Sequence, residues 1–215
     1  MSMFKKIEHV GSHVIGMDRE VELAKELCEH LKQIGVNATL SDSVAPVAGG
    51  LVMGGAKIDG HSIDLVQIER YVHHNPGPKG GSHKYYQYHY IVQAKVDALE
   101  NRFNAYFSPI EKRKGLFSKE IIGYQWEGGD LASPLNADSD LKNMLLQAEL
   151  TKINIGFNKE LQCVRITPIM VESVSESFLK GPFHKAGKEL PTLESFKALD
   201  RIAQHIRHII GNLAS

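Results

Sequence analysis

Residues 84–96 alternate between two kinds of side chain, and this alternation constrains the fold more than any other feature of the sequence. One set of alternate positions is aromatic or apolar: Tyr86, Tyr88, Tyr90, Val92, Ala94 and Val96. The other set is largely polar, with Ile91 as the exception: Tyr85, Gln87, His89, Gln93 and Lys95. A period of two is typical of a half-buried antiparallel strand, with one face on the core and the other toward water or a partner. We therefore expect an antiparallel sheet.

Shorter segments with the same period lie on both sides of this strand. They predict strands near residues 36–40, 51–58, 61–72, 103–107 and 122–126, and two more at 152–157 and 161–171. Consecutive strands on short connections indicate a meander. Asp59-Gly60 favours a tight type I′ turn after the strand at 51–58, because both central residues of that turn need a positive φ. Pro168 has no N–H to donate, so we expect that end of the last strand at a sheet edge or a bulge.

Three segments carry apolar residues at steps of three and four, which predicts amphipathic helices at residues 18–34, 138–149 and 192–211. The first helix has the stripe Val21, Ala24, Leu27, Cys28, Leu31 and Ile34, and the last has Phe196, Leu199, Ile202, Ala203, Ile206 and Ile209. Asn136, Asp138 and Ser139 all offer N-cap oxygens for the second helix, and Thr192 is the candidate N-cap of the last. Gly35 and Gly211 are expected to end the first and last helices.

Together these elements predict a single α+β domain over residues 1–215. The expected sheet is curved and mostly antiparallel, has about seven or eight strands, and is covered on one face by the N-terminal and C-terminal helices. A chain of 215 residues and 23.9 kDa buries roughly 70% of its unfolded surface. No disulfide or metal is therefore needed to stabilise its core.

Charge and cysteine content argue against several classes of protein. Lys plus Arg and Asp plus Glu each number 25, so the net charge is zero and no overall field attracts nucleic acid or anionic lipid. Cys28 and Cys163 have neither CxxC spacing nor a third partner, which favours buried thiols over a metal cluster. The first residues lack the apolar core of a signal peptide, and no window has the roughly 20 apolar residues of a membrane span. We expect a cytoplasmic protein with no membrane partner.

A glycine-rich segment at residues 48–58 has the composition of a phosphate-binding loop but not its order. Ala56 separates Gly55 from Lys57, and Ile58 stands where such a loop has a hydroxyl. The segment leads into a predicted strand rather than a helix, so no helix N-terminus faces an anion. Close packing or bulging of a strand explains these glycines better.

Histidines are concentrated between residues 61 and 90, and they suggest a metal site. His73, His74 and His83 flank a Gly- and Pro-rich loop whose strands bring them close. Imidazole is the commonest metal ligand, but the spacing matches no motif of fixed geometry, and a solvated hairpin is the competing explanation. No motif implies a cofactor. A divalent metal held by these histidines is one alternative for the function.

Basic residues suggest a nucleic-acid site as a third alternative. Lys112, Arg113 and Lys114 belong to a predicted turn between two strands, at residues 112–119. Arg201 and His205 lie on one face of the predicted last helix. Aromatic strand residues could stack bases beside them. The zero net charge and the absence of any RNA- or DNA-binding signature argue against nucleic acid as the partner.

The remaining candidates favour a binding or interaction protein, which is the leading interpretation. Trp126, Glu127 and Asp130 lie at the end of a predicted strand, and Tyr85 and His89 lie on the second face of the 84–96 strand. Paired carboxylates can perform acid–base chemistry, but no catalytic signature accompanies them, so the sequence leaves open whether the protein is an enzyme. If helices cover the tyrosine-rich face of this strand, its second face, with Tyr85, Gln87, His89 and Ile91, is amphipathic and free to meet another subunit, which predicts a homodimer. The identity of any small-molecule ligand is undetermined.

Overall fold

The computed structural model describes residues 22–41, 51–74, 82–94, 102–114, 118–169 and 190–214. The side chains at 73, 74, 82–85, 114, 118, 119 and 214 lie outside this description. The described residues form an open antiparallel sheet with eight strands and four helices. This architecture confirms the predicted α+β fold class. None of the helices in the described ranges is long and apolar enough to cross a membrane.

The elements follow one another in chain order. They are α1 (22–33), β1 (Ala38–Ser41), β2 (Leu51–Ile58), β3 (Leu65–His74), β4 (Ser82–Gln93), β5 (Ala105–Lys114), β6 (Ser118–Glu127), α2 (Ala132–Ala137), α3 (Ser139–Gln147), β7 (Ile153–Asn158), β8 (Cys163–Pro168) and α4 (Leu193–Ala214).

The order of strands in the sheet is β1-β2-β3-β4-β8-β7-β5-β6, with every neighbouring pair antiparallel. The predicted meander therefore holds within β1–β4 and is interrupted where β8 joins β4 to β7. β8 is an interior strand, but its pairing with β4 ends at Ile166, so its Pro168 end lies at a local edge of the sheet, as predicted. Pro168 is tolerated there because it is the last residue of β8, beyond the pairing with β4 that ends at Ile166.

One face of the sheet packs against the helices and forms the apolar core. The predicted inward set of β4 lies on this face, where Tyr90 and Val92 are buried. The stripe of α4 is fully buried from Phe196 to Ile206 and belongs to the same core as Leu27 and Leu31 of α1. The helices therefore cover the face that the alternation predicted.

The predicted caps form through their expected hydrogen bonds. Thr192 Oγ1 accepts from the Ser195 N–H at 3.1 Å, and Asp138 Oδ1 accepts from the Leu141 N–H at 3.0 Å. Gly35, with φ of +89°, follows α1 in the left-handed conformation that ends helices. Gly211 does not end the last helix, because α4 continues to Ala214 and the glycine lies within its last turn.

The connection between β2 and β3 is longer than the predicted tight turn. Residues 59–64 form a loop that packs on α4, with Ile63 buried in the core. Asp200 Oδ1 accepts from the N–H groups of Ser62, at 2.7 Å, and Ile63, at 3.1 Å. Arg207 Nε donates to Ser62 O at 2.9 Å. Contacts with a helix distant in sequence thus outweigh the local preference of Asp59-Gly60.

Two further boundaries differ from the predictions. Residues 112–114 belong to β5 and pair with residues 118–120 of β6, so the predicted basic turn is the end of a hairpin. The predicted helix at 138–149 is preceded by the short helix α2, which the sequence analysis missed. Pro134 is tolerated in the first turn of α2, and Asp138 ends α2 and caps α3.

Candidate functional site

A row of mostly polar residues crosses the sheet on the face opposite the helices. Its members follow one another on adjacent strands from β3 to β6, in the order Gln67, His89, Thr167, Asn154, Tyr106 and Glu127. Neighbouring members lie opposite one another in the strand register, except His89 and Thr167, which lie one residue beyond the last β4–β8 pair, Tyr90 and Ile166. His89 Nδ1 and Thr167 Oγ1 are joined by a hydrogen bond of 2.9 Å between β4 and β8. The row is buried at its β3–β4 end and exposed at its β5–β6 end. We call it the polar row.

Glu69 lies beside the buried end of the polar row and is completely inaccessible to solvent. Its Oε1 accepts from Gln67 Nε2 at 2.8 Å and from Arg165 Nη2. Its Oε2 accepts from the Tyr71 hydroxyl at 2.6 Å and lies 3.3 Å from His89 Nε2. Each carboxylate oxygen therefore has two partners, which meets the requirement that a buried charge be paired and hydrogen-bonded.

The protonation states of Glu69 and His89 follow from this arrangement. Burial favours the neutral form of Glu69, but hydrogen bonds from His89 and Tyr71 and the charge of Arg165 outweigh it and lower the pKa of Glu69 to about 2. Burial, aided by the charge of Arg165, lowers the pKa of His89 against the opposing effect of Glu69. At neutral pH an ionised Glu69 thus faces a neutral imidazole. The Nε2–H of His89 then donates to Glu69, and Nδ1 accepts from Thr167.

The exposed end of the polar row borders an open depression of about 460 Å³. Its lining residues come from β5, β6, β7 and the adjoining loops: Asn104, Ala105, Tyr106, Glu127, Gly128, Asn154, Ile155 and Gly156. Its polar lining residues carry two side-chain amides, a phenol and a carboxylate, and none of its lining residues is basic. Gln125 Nε2 donates to Glu127 Oε1 beside it. The depression therefore suits a polar ligand that is not anionic.

Glycines shape the sheet around the polar row. A Cβ at Gly55 would lie 2.9 Å from Val66 O, so close strand packing requires this glycine, as the sequence analysis predicted. Gly128 has φ of +88°, and a Cβ there would lie 2.6 Å from Asn104 O. At Gly156 a Cβ would meet only Asn104 Oδ1, at an ordinary 3.8 Å. Gly156 is thus the lining glycine that tolerates a side chain.

The predicted binding residues are not brought together in one place. Glu127 lines the depression, and His89 belongs to the buried end of the same row. Trp126 lies on the opposite face, in the core, with its ring centroid 4.9 Å from that of Phe107. Asp130 forms an ion pair with Arg102 at 3.4 Å. Tyr85 pairs with Tyr71 in the backbone register, but its side chain lies outside the described residues.

The metal hypothesis concerns side chains outside the described residues. His73 and His83 lie opposite one another on β3 and β4, and His74 lies opposite Ser82. Within the described ranges, no group of three or more His, Cys, Asp or Glu side chains is arranged to hold a metal ion. The metal site at His73, His74 and His83 stays a prediction.

The two basic helix residues make structural contacts that the sequence did not predict. Arg201 Nε lies 2.9 Å from Asp138 Oδ2, and His205 Nε2 lies 2.8 Å from the same oxygen. They therefore connect α4 to the cap of α3. The sequence had predicted a solvated basic face here, and the contacts with Asp138 replace it. Asp138 is nearly buried, and these contacts lower its pKa against the effect of burial.

The other basic candidates, unlike those of α4, belong to the β5–β6 hairpin. Lys112 and Arg113 are exposed on β5, and the side chain of Lys114 lies outside the described residues. Arg113 lies opposite Lys119 in the register. The nucleic-acid hypothesis therefore rests on the hairpin alone.

The surface on which the homodimer prediction was based is partly buried within a single chain, and the side chain of Tyr85, one of its members, lies outside the described residues. His89 and Ile91 of β4 are 3% and 5% exposed within a single chain. Among the described residues, the large apolar side chains with the highest exposed fractions are Ile121 and Ile122, at 54% and 58%, on the edge strand β6. Self-association stays a prediction, and β6 is the better candidate surface.

The sequence singled out Glu69 only as a possible partner of the histidines in a metal site, and it gave no indication of the other residues that define this region: Arg165, Thr167, Asn154, Tyr106 and Asn104. A signal was present in β3, where Gln67, Glu69 and Tyr71 occupy alternate positions. The partners that Glu69 and His89 find on β8, Arg165 and Thr167, are distant in sequence and left no such signal.

Comparisons with known proteins identify no relative: no protein-family model, curated protein or solved structure matches this chain. The function is therefore argued from the geometry of the polar row and the depression.

Proposed function

We propose that the protein binds a small, positively charged polar ligand in the depression at the exposed end of the polar row. The observation that carries the proposal is the lining, where the Glu127 carboxylate and the Tyr106 ring lie beside the amides of Asn104 and Asn154. Tyr106 and Glu127 are opposite one another in the register of β5 and β6. An ammonium or guanidinium group fits this combination.

Each contact that a cation would make here has a known physical basis. Glu127 supplies a negative charge, and an exposed ion pair contributes roughly 0.2–1 kcal/mol. The ring of Tyr106 attracts a cation through its quadrupole, which adds about 0.5–1 kcal/mol at an exposed site. The amides of Asn104 and Asn154 both donate and accept hydrogen bonds, so they orient the polar part of a ligand. These modest contributions predict weak affinity.

The buried end of the row supports this site by fixing its shape. Thr167 is bound to His89, which lies beside fully hydrogen-bonded Glu69, so β8 is held to β4 and β3 through side chains as well as backbone. Asn154 lies opposite Thr167 on β7, one strand nearer the depression. A site on preorganised strands loses less entropy when a ligand binds.

Titration with choline and with agmatine, followed by amide chemical shifts, tests the proposal. We expect saturable shifts for residues around Tyr106 and Asn154, and weaker binding in Glu127→Gln at unchanged melting temperature. Glu160→Gln, in the exposed β7–β8 turn, is the matched control and should bind as the wild type does.

A second pair of variants tests the location. Gly156→Val should block the depression, whereas Gly123→Val places the same side chain on β6 outside it. If neither cation binds saturably at millimolar concentration, or if Gly156→Val binds normally, the proposal is wrong.

A further inference from the structure

The polar row contains a hydroxyl, an imidazole and a carboxylate in hydrogen-bonding sequence. We propose that Thr167 is a nucleophile activated by His89 and that the protein hydrolyses small carboxylic esters beside the depression. Glu69 is a positioning residue, because it contacts the imidazole and not the substrate. This inference deepens the proposed function, since it takes the depression as the place where the substrate binds.

The distances place all three groups within reach of one another. Thr167 Oγ1 lies 2.9 Å from His89 Nδ1, inside the range expected of a nucleophile and its general base. His89 Nε2 lies 3.3 Å from Glu69 Oε2 on the other side of the ring. The three groups stand in the order of the serine-protease triad: hydroxyl, imidazole and carboxylate. The ring nitrogens are exchanged, because Nδ1 faces the hydroxyl here, whereas Nε2 does so in the serine proteases.

Solvent exposure increases from Glu69 and His89 to Thr167, as the chemistry requires if the substrate approaches Thr167 from the surface. Glu69 and His89 are sealed from solvent, whereas Thr167 is half-buried. Asn154, directly opposite Thr167, lines the depression. Thr167 is therefore the point at which the buried groups approach the surface.

Each group is in the state that its role needs. His89 is neutral because burial lowers its pKa, so Nδ1 can accept a proton from the hydroxyl. Glu69 stays ionised and stabilises the imidazolium that forms. All of the hydrogen-bonding positions on Glu69 are filled by Gln67, Tyr71, Arg165 and His89, so its effect on the hydroxyl passes through the ring.

The reaction balances with an ester and water as the only reactants. Thr167 Oγ attacks the ester carbonyl, its proton moves to His89 Nδ1, and a tetrahedral intermediate forms. When the intermediate collapses, the bond to the alkoxy oxygen breaks, and the alcohol leaves with the proton from His89. Water then attacks the Thr167 acyl ester, gives a proton to His89, and releases the carboxylic acid as that proton returns to Thr167. The amide of Asn154 is a candidate donor to the oxyanion.

Two measurements on the full chain test the nucleophile. The first is labelling with a fluorophosphonate, followed by mass spectrometry of peptides, and the second is turnover of p-nitrophenyl acetate. We expect the adduct on Thr167. In Thr167→Val the adduct should vanish and turnover should fall roughly 100-fold or more, which is the contribution expected of base-assisted catalysis. Thr167→Ser should keep both, and Thr39→Val, on the exposed edge strand β1, is the matched control.

Glu69→Gln separates positioning from a structural role. The groups among the described residues that face His89 are Glu69 and Tyr71 from β3 and Arg165 from β8. Loss of the Glu69 charge lowers the pKa of His89, so the acid limb of the turnover profile should move to lower pH in folded protein. An unchanged profile would contradict the positioning role.

The inference is overturned if Thr167→Val, folded as judged by its melting temperature, retains wild-type turnover, or if the adduct lies on another residue. The choline titration keeps this failure separate from failure of the proposed function. Binding of choline without labelling of Thr167 rejects only the nucleophile. Labelling of Thr167 without binding of choline retains the nucleophile and rejects only the cationic ligand.

Discussion

The two faces of the sheet are buried by different means. His89 and Tyr90 are neighbours on β4 and point to opposite faces, yet they are 3% and 2% exposed. Tyr90 is buried by apolar contacts with the helices, including Phe196 of α4 at a ring separation of 6.4 Å. His89 is buried among Glu69, Arg165 and other polar groups. Alternation along a strand therefore identifies the residues that share a face, but not the chemistry that covers each face.

The largest effect is expected on the polar face. Glu69→Ala removes the carboxylate and leaves the charge of Arg165 without its partner, which should lower the free energy of unfolding by about 3–5 kcal/mol. Urea denaturation measures this change. Gln87→Ala is the control, because Gln87 lies opposite Glu69 and, among the described residues, donates a long hydrogen bond of 3.4 Å to Pro168 O. If both variants lose the same stability, the ion pair between Glu69 and Arg165 does not stabilise this face of the sheet.

The corresponding change on the apolar face is Ile202→Ala. Ile202 is fully buried in the middle of the α4 stripe, so its truncation leaves a cavity and should cost about 2–5 kcal/mol in the same urea assay. Lys197→Ala, exposed on the same helix, should cost less than about 0.5 kcal/mol. Equal losses in these two variants would mean that α4 does not close the core.

The smallest expected effect is a loss of stability at low pH, which should arise on the polar face and not on the apolar face. The lowered pKa values of His89 and Glu69 mean that the unfolded chain binds protons that the folded chain does not. Stability should therefore fall as the pH drops below about 6.5 for His89, and from about 4.5 to about 2 for Glu69. The contribution of Glu69 to this loss is on the order of a few kcal/mol.

Unfolding by urea at several pH values measures this dependence. Glu69→Gln should flatten the acid part of the profile, whereas Ile202→Val should lower the whole curve without changing its slope. A wild-type slope in Glu69→Gln would show that other carboxylates cause the acid loss.

The sequence predicted those parts of the fold that depend on local patterns. The face of β4, the stripes of α1 and α4, and the caps Asp138 and Thr192 follow from periodicity and from side chains that bond to nearby backbone. The 59–64 loop was mispredicted because Asp200, far along the chain, binds its backbone.

The candidate site was harder to predict for the same physical reason. Glu127 and His89 were identified, but the groups that define their surroundings lie on other strands. Glu69 depends on Arg165 for its charge partner and His89 depends on Thr167, across separations of 96 and 78 residues. The position of β8 between β4 and β7 creates these pairs, and no local pattern encodes that position.

The place of β8 also has a consequence for how the protein forms during synthesis. The strands β1–β4 and the hairpin β5–β6 leave the ribosome before β8 does, so the edge of β4 has to wait for its partner. Until then Glu69 lacks the Arg165 guanidinium, and β4 exposes unpaired backbone groups of the kind that promote aggregation. The nascent chain is therefore most vulnerable after β4 has left the ribosome and before β8 has, and slow translation or chaperone binding in that interval should influence the yield of folded protein.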